Sequence, residues 1–510
     1  MAMVMAMRPR TLLRIFLVVT ALLLPSSLVG VATATTTGPA DPAEAAPTTP
    51  SARLGAAASP GAAHRGLTGP ALLGAAGPVV WHVPITAPGQ VRDLERAGFD
   101  VARSTDDNAL VIGDLGVAGR LRALGYRPTG FGDLYREPAT PRRSAAAGTY
   151  YGGYHTVAAH EQHLDDVARE HPDLATVHDI GDSWLRTRGW GGHDIKAVCL
   201  TRKEQGDCAR TPDAAKPRFT LVAQVHAREI STGELAWRWI DHLVGGYGTD
   251  TEVTDLLDST EVWVVPIANP DGVDVVVSGG NHPRMQRKNL DSDNGTCPAS
   301  NVGIDLNRNS SYKWGGAGGE PCAESYQGPE PRSEPETVAL ENLFTSIYPR
   351  QRGTDDSDPA PAGARGVMLT LHSFGDYIIL PWGWTDLTAP NDAQLRALGE
   401  RMAAHNGYTV GTNAETVGYE TPGTTDDFTY GVLGVASATF EIGSAWGECG
   451  GFFPRYSCVD SEFWPENRGA FMVAAQAAAA PYALDRSHPA AGTRSAGGSG
   501  DDPAVTRAAG

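Results

Sequence analysis

The sequence predicts an α/β fold in which a mixed, mostly parallel central sheet is covered by helices on both faces and is preceded by a small α+β segment. Three observations support this prediction. The chain has 510 residues, which is enough for a sizeable core and more than one domain. It is 41% hydrophobic and 20% charged, as globular proteins are. Beyond about residue 150, strand-like apolar runs alternate with helical patterns, which is typical of α/β domains.

The N-terminus is organised like a secretory signal peptide. Three arginines precede an apolar run over residues 15–24, and small residues then lead to Ala34. Pro25 and two serines end the apolar run well before the roughly 20 residues that a membrane anchor needs. We therefore predict a signal peptide over residues 1–34 and a secreted product without stable membrane association.

Changes in composition predict how the rest of the chain is divided. Residues 35–77 are rich in Ala, Gly, Thr and Pro, which predicts a disordered spacer. Residues 78–147 contain two strand-like and two helix-like runs, followed by a polar, Ala-rich linker whose paired arginines are a target for proteolysis. The main domain is predicted over residues 148–484, and residues 485–510 are predicted to form a disordered tail.

Charge and cysteine content restrict the partners and the compartment. The formal net charge is −18, which argues against nucleic acid or an anionic membrane surface as the main partner. The six cysteines permit 15 disulfide connectivities. An oxidising compartment favours disulfides, and we predict the three local ones, whereas a zinc–thiolate cluster is disfavoured by the absence of C-x-x-C spacing. The predicted bridges are Cys199–Cys208, Cys297–Cys322 and Cys449–Cys458.

The apolar periodicity of the main domain predicts its elements in order. The first half is expected to form a helix over residues 155–169, the strands HPDLATVHDIG, HDIKAVCLT and PRFTLVAQV, and the helix TGELAWRWIDHLVGGY. Ser231 or Thr232 is available to cap that helix. The second half is expected to begin with the strand EVWVVPIANPDG, which leads into a Pro and Gly turn, and to continue with a long loop region. A helix over 334–348, the strand GVMLTLHS, a helix over 393–407 and the strand VASATFEIG are expected to follow.

Three of these strands lead to side chains that can do chemistry. His226 and Glu229 follow one strand, His372 ends another, and Glu441 lies in the last. Binding sites in open α/β sheets form outside the carboxyl ends of the strands, where such segments meet. Two imidazoles and one carboxylate are a common catalytic zinc set that leaves a fourth position for water. We therefore predict one zinc ion per chain, bound by His226, Glu229 and His372.

Glu441 and two arginines suit the remaining chemistry. An attacking water needs a carboxylate nearby that is not itself a metal ligand, and Glu441 lies between apolar neighbours where a charge needs a reason. A surface carboxylate at a strand end is the ordinary alternative. Arg287 and Arg308 lie in the long loop region and would singly be read as solvated surface residues. Next to a metal, one can stabilise an oxyanion and the other can bind a carboxylate.

Taken together, the motifs resemble those of zinc metallocarboxypeptidases of the carboxypeptidase A and carboxypeptidase T type, over most of residues 150–484. The segments that carry the resemblance occur in the family order. They are HAREIS at 226, NPDG at 269, RMQRKN at 284, GIDLNRN at 303, YQGPEPRSEPET at 326, LHSFGDYIILPWG at 371, YETPGTTDDFTYG at 419 and FEIG at 440. The resemblance implies a carboxypeptidase-like fold, zinc as cofactor and peptide or protein C-termini as substrate.

The resemblance also implies roles for individual residues. Glu441 would be the general base and Arg287 would polarise the scissile carbonyl. Asn307 and Arg308 would hold the substrate's terminal carboxylate, as in an exopeptidase. The neighbouring subsite would be lined by Arg228, and Tyr419 would close over the substrate. The resemblance further implies that residues 78–147 include an inhibitory pro-segment, and we expect the protein to be a monomer.

Specificity is predicted from one position. Aligning FEIG and YETPG without a gap places Asp426 at the floor of the pocket for the last side chain, which favours C-terminal Lys or Arg. Asp426 could instead point away, with Asp427 making structural hydrogen bonds, and a mixed basic and apolar preference is the rival prediction. Two other functions stay open: a related zinc amidohydrolase acting on cell-wall peptides or acylated amino acids, and a catalytically silent peptide-binding relative.

Overall fold

The computed structural model describes residues 79–87, 89–105, 107–133, 135, 147–298 and 301–483. The predictions of a signal peptide, a spacer and a C-terminal tail therefore lie outside the described residues, as does most of the predicted linker. In the described ranges, no helix combines the length and the apolar character needed to cross a membrane.

Residues 79–133 form a small module built on its own core. Its four-stranded antiparallel sheet has the order β2-β3-β1-β4, and the two helices pack against it. Its elements are β1 (Val79–Pro84), α1 (Gly89–Arg96), β2 (Asp100–Ser104), β3 (Asn108–Gly113), α2 (Leu115–Ala123) and β4 (Thr129–Asp133). Trp81, Val83 and Val111 lie in a core cluster that consists of module residues. The alternation predicted for this region is confirmed, and the sequence patterns missed β2 and β4.

The main domain begins with a short hairpin and continues as an α/β unit. Its strands are β5 (Thr149–Tyr150), β6 (Tyr154–His155), β7 (Ala175–Asp182), β8 (Asp194–Leu200), β9 (Arg218–Val222), β10 (Glu261–Val265), β11 (Val367–His372), β12 (Tyr377–Leu380), β13 (Thr409–Thr412) and β14 (Ala436–Glu441). Its helices are α3 (Val157–Glu170), α4 (Trp184–Thr187), α5 (Ile230–Gly246), α6 (Thr251–Ser259), α7 (Pro270–Val277), α8 (Pro335–Ile347), α9 (Asp392–Asn406), α10 (Thr425–Leu433) and α11 (Trp464–Gln476).

Eight strands form the central sheet, in the order β13-β12-β14-β11-β9-β10-β8-β7. The four middle strands, β14, β11, β9 and β10, run parallel, and antiparallel strands join them on both sides. All residues of β9, β10 and β11 are buried, as expected for parallel strands that are covered on both faces. The predicted mixed, mostly parallel sheet is therefore confirmed.

Helices cover both faces of this sheet. Successive residues of β10 point to opposite sides, so that Val262 packs in one core cluster and Trp263 in the other. The first cluster contains Trp239 of α5, and the second contains Phe344 of α8. The sheet is thus held rigidly between two apolar layers, which fixes the positions of its strand ends.

Two local predictions were wrong. The predicted cap of α5 by Ser231 or Thr232 fails because the helix already begins at Ile230, with Glu229 at the cap position. Thr232 instead donates its hydroxyl hydrogen to the Glu229 carbonyl at 2.8 Å. The NPDG segment begins α7 rather than ending in a turn, since the Asn269 side chain accepts from the Gly272 amide and proline fits the first helical position.

All three predicted disulfides are confirmed. The bridges join Cys199 to Cys208, Cys297 to Cys322 and Cys449 to Cys458. The second bridge closes part of the long loop region that the sequence places between α7 and α8. That loop region carries several of the residues described below.

Candidate active site

The predicted metal ligands lie where β9 and β11 end side by side. These strands are parallel neighbours, so their carboxyl ends meet at one edge of the sheet. His372 is the last residue of β11. His226 and Glu229 follow β9 after a turn in which Gln224 has a φ of 46°, so the strand ends earlier than predicted. The turn delivers both side chains to the same edge.

The three side chains form a buried cluster, which we call the ligand cluster (His226, Glu229 and His372). Their candidate ligand atoms all lie within 4.8 Å of one another. His226 Nδ1 lies 2.8 Å from Glu229 Oε1, and His372 Nδ1 lies 3.0 Å from both His226 Nδ1 and Glu229 Oε2. Each residue is at most 3% exposed. Two imidazole nitrogens and a carboxylate that converge without solvent are suited to a bound cation.

Asp305 contacts the ligand cluster through His226. Its Oδ1 lies 3.1 Å from His226 Nε2, while Arg287 donates to Asp305 Oδ2 through Nε at 3.1 Å and Nη2 at 2.9 Å. A hydrogen on His226 Nε2 leaves the lone pair of Nδ1 directed into the cluster. Carboxylates that accept from the second nitrogen of a histidine orient it for metal binding. The donor set therefore fits zinc.

Charges around the cluster keep its carboxylates ionised. Burial opposes ionisation of Glu229, but His226 and His372 outweigh it and lower the pKa of that carboxyl. Burial is likewise outweighed at Asp305, where Arg287 and His226 hold the pKa well below its usual range. Burial is the main cause that lowers the pKa of His372. A lowered pKa favours the neutral imidazole, which is the form that binds a metal.

Glu441 lies beside the cluster, and its pKa is displaced in the opposite direction from that of Glu229. It ends β14 and pairs with His372 in the register of β11. Burial and the Glu229 carboxylate raise the pKa of Glu441 well above its usual range, although Arg287 lowers it. Two acids with pKa values displaced in opposite directions are typical of sites that transfer protons.

A buried cation, Arg308, also lines the cavity. Arg308 is 5% exposed and, among the described residues, forms no ion pair. Its Nη1 donates to the Asn307 carbonyl at 2.7 Å, and the Asn307 side chain accepts from the Thr425 amide at 3.1 Å. These contacts fix Asn307 and Arg308 at the wall of the cavity. An anionic group entering the cavity would give Arg308 a partner.

The two adjacent acids of α10 face different surroundings. The Asp427 carboxylate accepts from the backbone amides of Gly383 and Trp384 at 3.0 Å, which gives it a structural role. Asp426 lines the cavity, and burial raises its pKa. Of the two acids, Asp427 thus makes the structural hydrogen bonds and Asp426 is the one that lines the cavity.

The N-terminal module covers the outer rim of the cavity. Arg228 donates two hydrogen bonds to the Asp100 carboxylate, at 2.5 and 2.8 Å, and its guanidinium lies 4.2 Å from the Phe452 ring centroid. Tyr419 donates its hydroxyl hydrogen to the Val101 carbonyl at 3.4 Å. Two of the five residues that the sequence analysis assigns to substrate contact, Arg228 and Tyr419, are therefore engaged by β2.

All ten residues predicted from the sequence line this one cavity. The sequence reasoning missed Asp305, Glu324 and two module residues, Glu95 and Asp100. Asp305 stands in the GIDLNRN motif directly after a buried isoleucine, which is a signal that could have been used. The module residues lie in a region whose sequence patterns indicated no chemistry.

Comparison with known proteins agrees with this geometry. Residues 160–467 match the family model described as zinc carboxypeptidase. The chain is 27% identical over 402 residues to a zinc carboxypeptidase of Saccharothrix mutabilis subsp. capreolus, covering 75% of this chain and 85% of that protein. It is 28% identical to mouse carboxypeptidase A2, over 57% of this chain and only 63% of the mouse protein.

The fold also matches a solved structure. The crystal structure of carboxypeptidase A from Helicoverpa armigera superposes with a TM-score of 0.63 and 23% sequence identity. The superposition covers 79% of this chain and 98% of that one. At this identity the likeness is one of fold, and it extends over more of the chain than the family match does.

Proposed function

The chain belongs to the zinc carboxypeptidase family, whose model matches more than half of its residues, and on that premise we propose that it removes single residues from the C-termini of peptides. The observation that carries the proposal is that one cavity is lined by the ligand cluster, by the Glu441 carboxyl and by Arg308, an arginine that forms no ion pair among the described residues. Hydrolysis of the last bond of a peptide would use all three groups. The metal and Glu441 would activate the attacking water, and Arg308 would bind the free terminal carboxylate.

In the proposed enzyme, His226, Glu229 and His372 hold one zinc ion per chain. When bound, zinc supplies Lewis-acid chemistry that activates water toward a peptide carbonyl. Glu441 accepts the proton of the attacking water and returns it to the leaving amine, a role that suits a carboxyl whose pKa is raised. Arg287 stabilises the charge that develops on the carbonyl oxygen.

Other residues of the cavity would recognise the last residue of the substrate peptide. Arg308 and Asn307 hold the terminal carboxylate, which supplies the anionic partner that Arg308 lacks among the described residues. Tyr419 closes over the substrate, and Arg228 lines the subsite for the penultimate residue. We propose that Asp426 favours C-terminal Lys or Arg, because a buried carboxylate in the cavity gains most from a cationic partner.

We further propose that the protein is secreted as a monomeric proenzyme. Residues 1–34 would be the signal peptide, residues 78–147 the pro-segment and linker, and residues 148–484 the catalytic domain. The contacts of Asp100 with Arg228 and of Val101 with Tyr419 support the assignment of the pro-segment, because they occupy groups that a substrate would need. Peptide C-termini are the proposed partners, with no role for nucleic acid.

Peptide hydrolysis tests this function. The processed, zinc-loaded chain is expected to release C-terminal Lys or Arg faster than Leu or Phe, and a chelator should abolish the activity. Glu441→Gln should lower kcat by about 10²–10⁴-fold while zinc stays bound, measured by metal content after dialysis. Equal activity of Glu441→Gln and the wild type would refute the mechanism. A strong preference for Leu or Phe would refute the assignment of Asp426 alone.

A further inference from the structure

Arg228 lies between two carboxylates that come from different parts of the chain. Asp100 of β2 binds it through two hydrogen bonds. On the other side, Glu324 Oε2 lies 3.7 Å from Arg228 Nη1. This Glu324 oxygen is shielded from solvent, and within the described ranges it accepts no hydrogen bond. A buried carboxylate oxygen without a hydrogen bond lowers the stability of the fold. Its position beside a guanidinium therefore suggests that it serves a function.

The position of Glu324 is fixed by its neighbours. Asn301 Nδ2 donates to its Oε1 at 2.9 Å. The buried Lys288 ammonium donates to the carbonyls of Pro321 at 3.2 Å and Ala323 at 2.8 Å, directly before Glu324 in the chain. The disulfide at Cys322 ties down the same segment. Because the segment is held at three points, the free Oε2 is presented to Arg228 in a defined geometry.

We propose that Glu324 becomes the partner of Arg228 when the pro-segment leaves, and that it thereby sets the charge preference for the penultimate residue of the substrate. The inference rests on the proposed function, which places Arg228 in that subsite. With Asp100 gone, Arg228 and Glu324 form a pair of zero net charge at the wall of the cavity. A neutral or basic penultimate residue is then accepted, whereas an acidic one must compete with Glu324 for the guanidinium.

The electrostatic surroundings agree with a change of partner. Burial and the Asp100 carboxylate raise the pKa of Glu324 to about 7, and Arg228 and Lys288 oppose the rise. Departure of Asp100 removes one of the two causes, so the Glu324 carboxylate is more fully ionised in the processed protein. Its attraction for Arg228 strengthens at the moment when Arg228 loses its first partner.

The test uses the full-length chain, loaded with zinc and cut in the linker with trypsin. Three peptides that differ only in a penultimate Glu, Ala or Lys serve as substrates. We expect Glu324→Gln to raise the ratio of kcat/KM for the Glu peptide over the Ala peptide by about tenfold, chiefly through KM. Glu320→Gln is the matched control, because Glu320 is an exposed acid on the same loop. It should keep the wild-type ratio.

Binding is measured separately from turnover. In the Glu441→Gln background, the dissociation constants of the same peptides should show the same tenfold shift when Glu324→Gln is added. If a correctly folded Glu324→Gln protein keeps the wild-type ratios, the proposal for Glu324 is wrong. Should that variant fail to fold, Glu324→Asp, which keeps the charge but retracts it, must give an intermediate ratio. Absence of cleavage of every peptide by the wild type would instead contradict the proposed function, and the binding ratios would still decide the role of Glu324.

Discussion

The inner and outer ends of the cavity differ in where their polar side chains find partners. At the inner end, the ligand cluster contacts Asp305, and all of these residues belong to the main domain. At the outer end, Arg228 and Tyr419 bond to residues of β2 in the N-terminal module. The inner end is thus complete without the module, whereas the outer end is completed by it. Loss of the module would free groups for substrate binding and leave the metal ligands in place.

The largest effect is expected from breaking the inner end at Asp305. Asp305→Asn keeps the shape of the side chain but removes the charge that orients His226 and pairs with Arg287. We expect zinc affinity to fall by about 10- to 100-fold, measured by competition with a chromophoric chelator. Asp271→Asn is the control, since Asp271 is an equally buried acid that does not line the cavity. Unchanged zinc affinity in Asp305→Asn would show that the inner end does not depend on this contact.

A smaller effect is expected from breaking the outer end at Asp100. Asp100→Asn removes the charge of the bidentate contact with Arg228, although Glu324 remains nearby as a second partner. After cleavage of the linker, the N-terminal module should bind about tenfold more weakly. Dilution of the cut chain dissociates the module and exposes the cavity, so activity appears below a certain protein concentration. The concentration at which half of the activity has appeared, the dilution midpoint, measures the affinity of the module.

This prediction for the outer end has a matched control on the neighbouring helix. Asp93→Asn changes an exposed acid of α1 and should leave the dilution midpoint where it is in the wild type. Zinc affinity should stay at the wild-type value in both variants. A weaker zinc site in Asp100→Asn would mean that the two ends are coupled, and the comparison between them would fail.

The sequence was most informative at the inner end. Long apolar runs define β11 and β14, and His372 and Glu441 stand at their ends, so strand pattern and chemistry point to the same place. The outer end was harder to predict from the sequence, because the contact of Asp100 with Arg228 depends on how two different sheets meet in the folded protein. The short, half-buried β2 carries little periodicity that could have indicated it.

Local signals also failed where backbone groups competed with side chains. Ser231 and Thr232 have the chemistry of a helix cap, yet the chain turns earlier because Gln224 adopts a positive φ and the Thr232 hydroxyl accepts from its amide. In the sequence Asp305 looks like an ordinary loop acid, and its role is visible only from its contact with His226 in the folded protein. In both cases the deciding contact joins segments whose approach is set by tertiary packing rather than by local pattern.

The smallest effect should arise at a residue that belongs to neither end of the cavity. His193 bridges two helices, since its ring lies 3.1 Å from Glu161 of α3 and 2.8 Å from Asp274 of α7. Hydrogen bonds to Asp274 and Glu161 raise the pKa of His193 to about 10. A histidine whose pKa is raised on folding stabilises the native state fully below its unfolded pKa of about 6.5, and this stabilisation is lost as the pH rises through 10.

His193→Gln should therefore lower the melting temperature at pH 6, and the difference from the wild type should shrink steadily toward pH 10. Because the ring and its carboxylate partners are partly exposed, the loss in free energy of unfolding at pH 6 is expected to be about 1 kcal/mol. Thermal unfolding of both proteins between pH 6 and pH 10 measures it. Glu170→Gln changes an exposed acid at the end of α3 and should show no such trend. Zinc affinity and release of the N-terminal module should match the wild type in His193→Gln, because His193 contacts neither end of the cavity. A difference in melting temperature that grows with pH would reverse the sign of the linkage and exclude a charged His193 as its source.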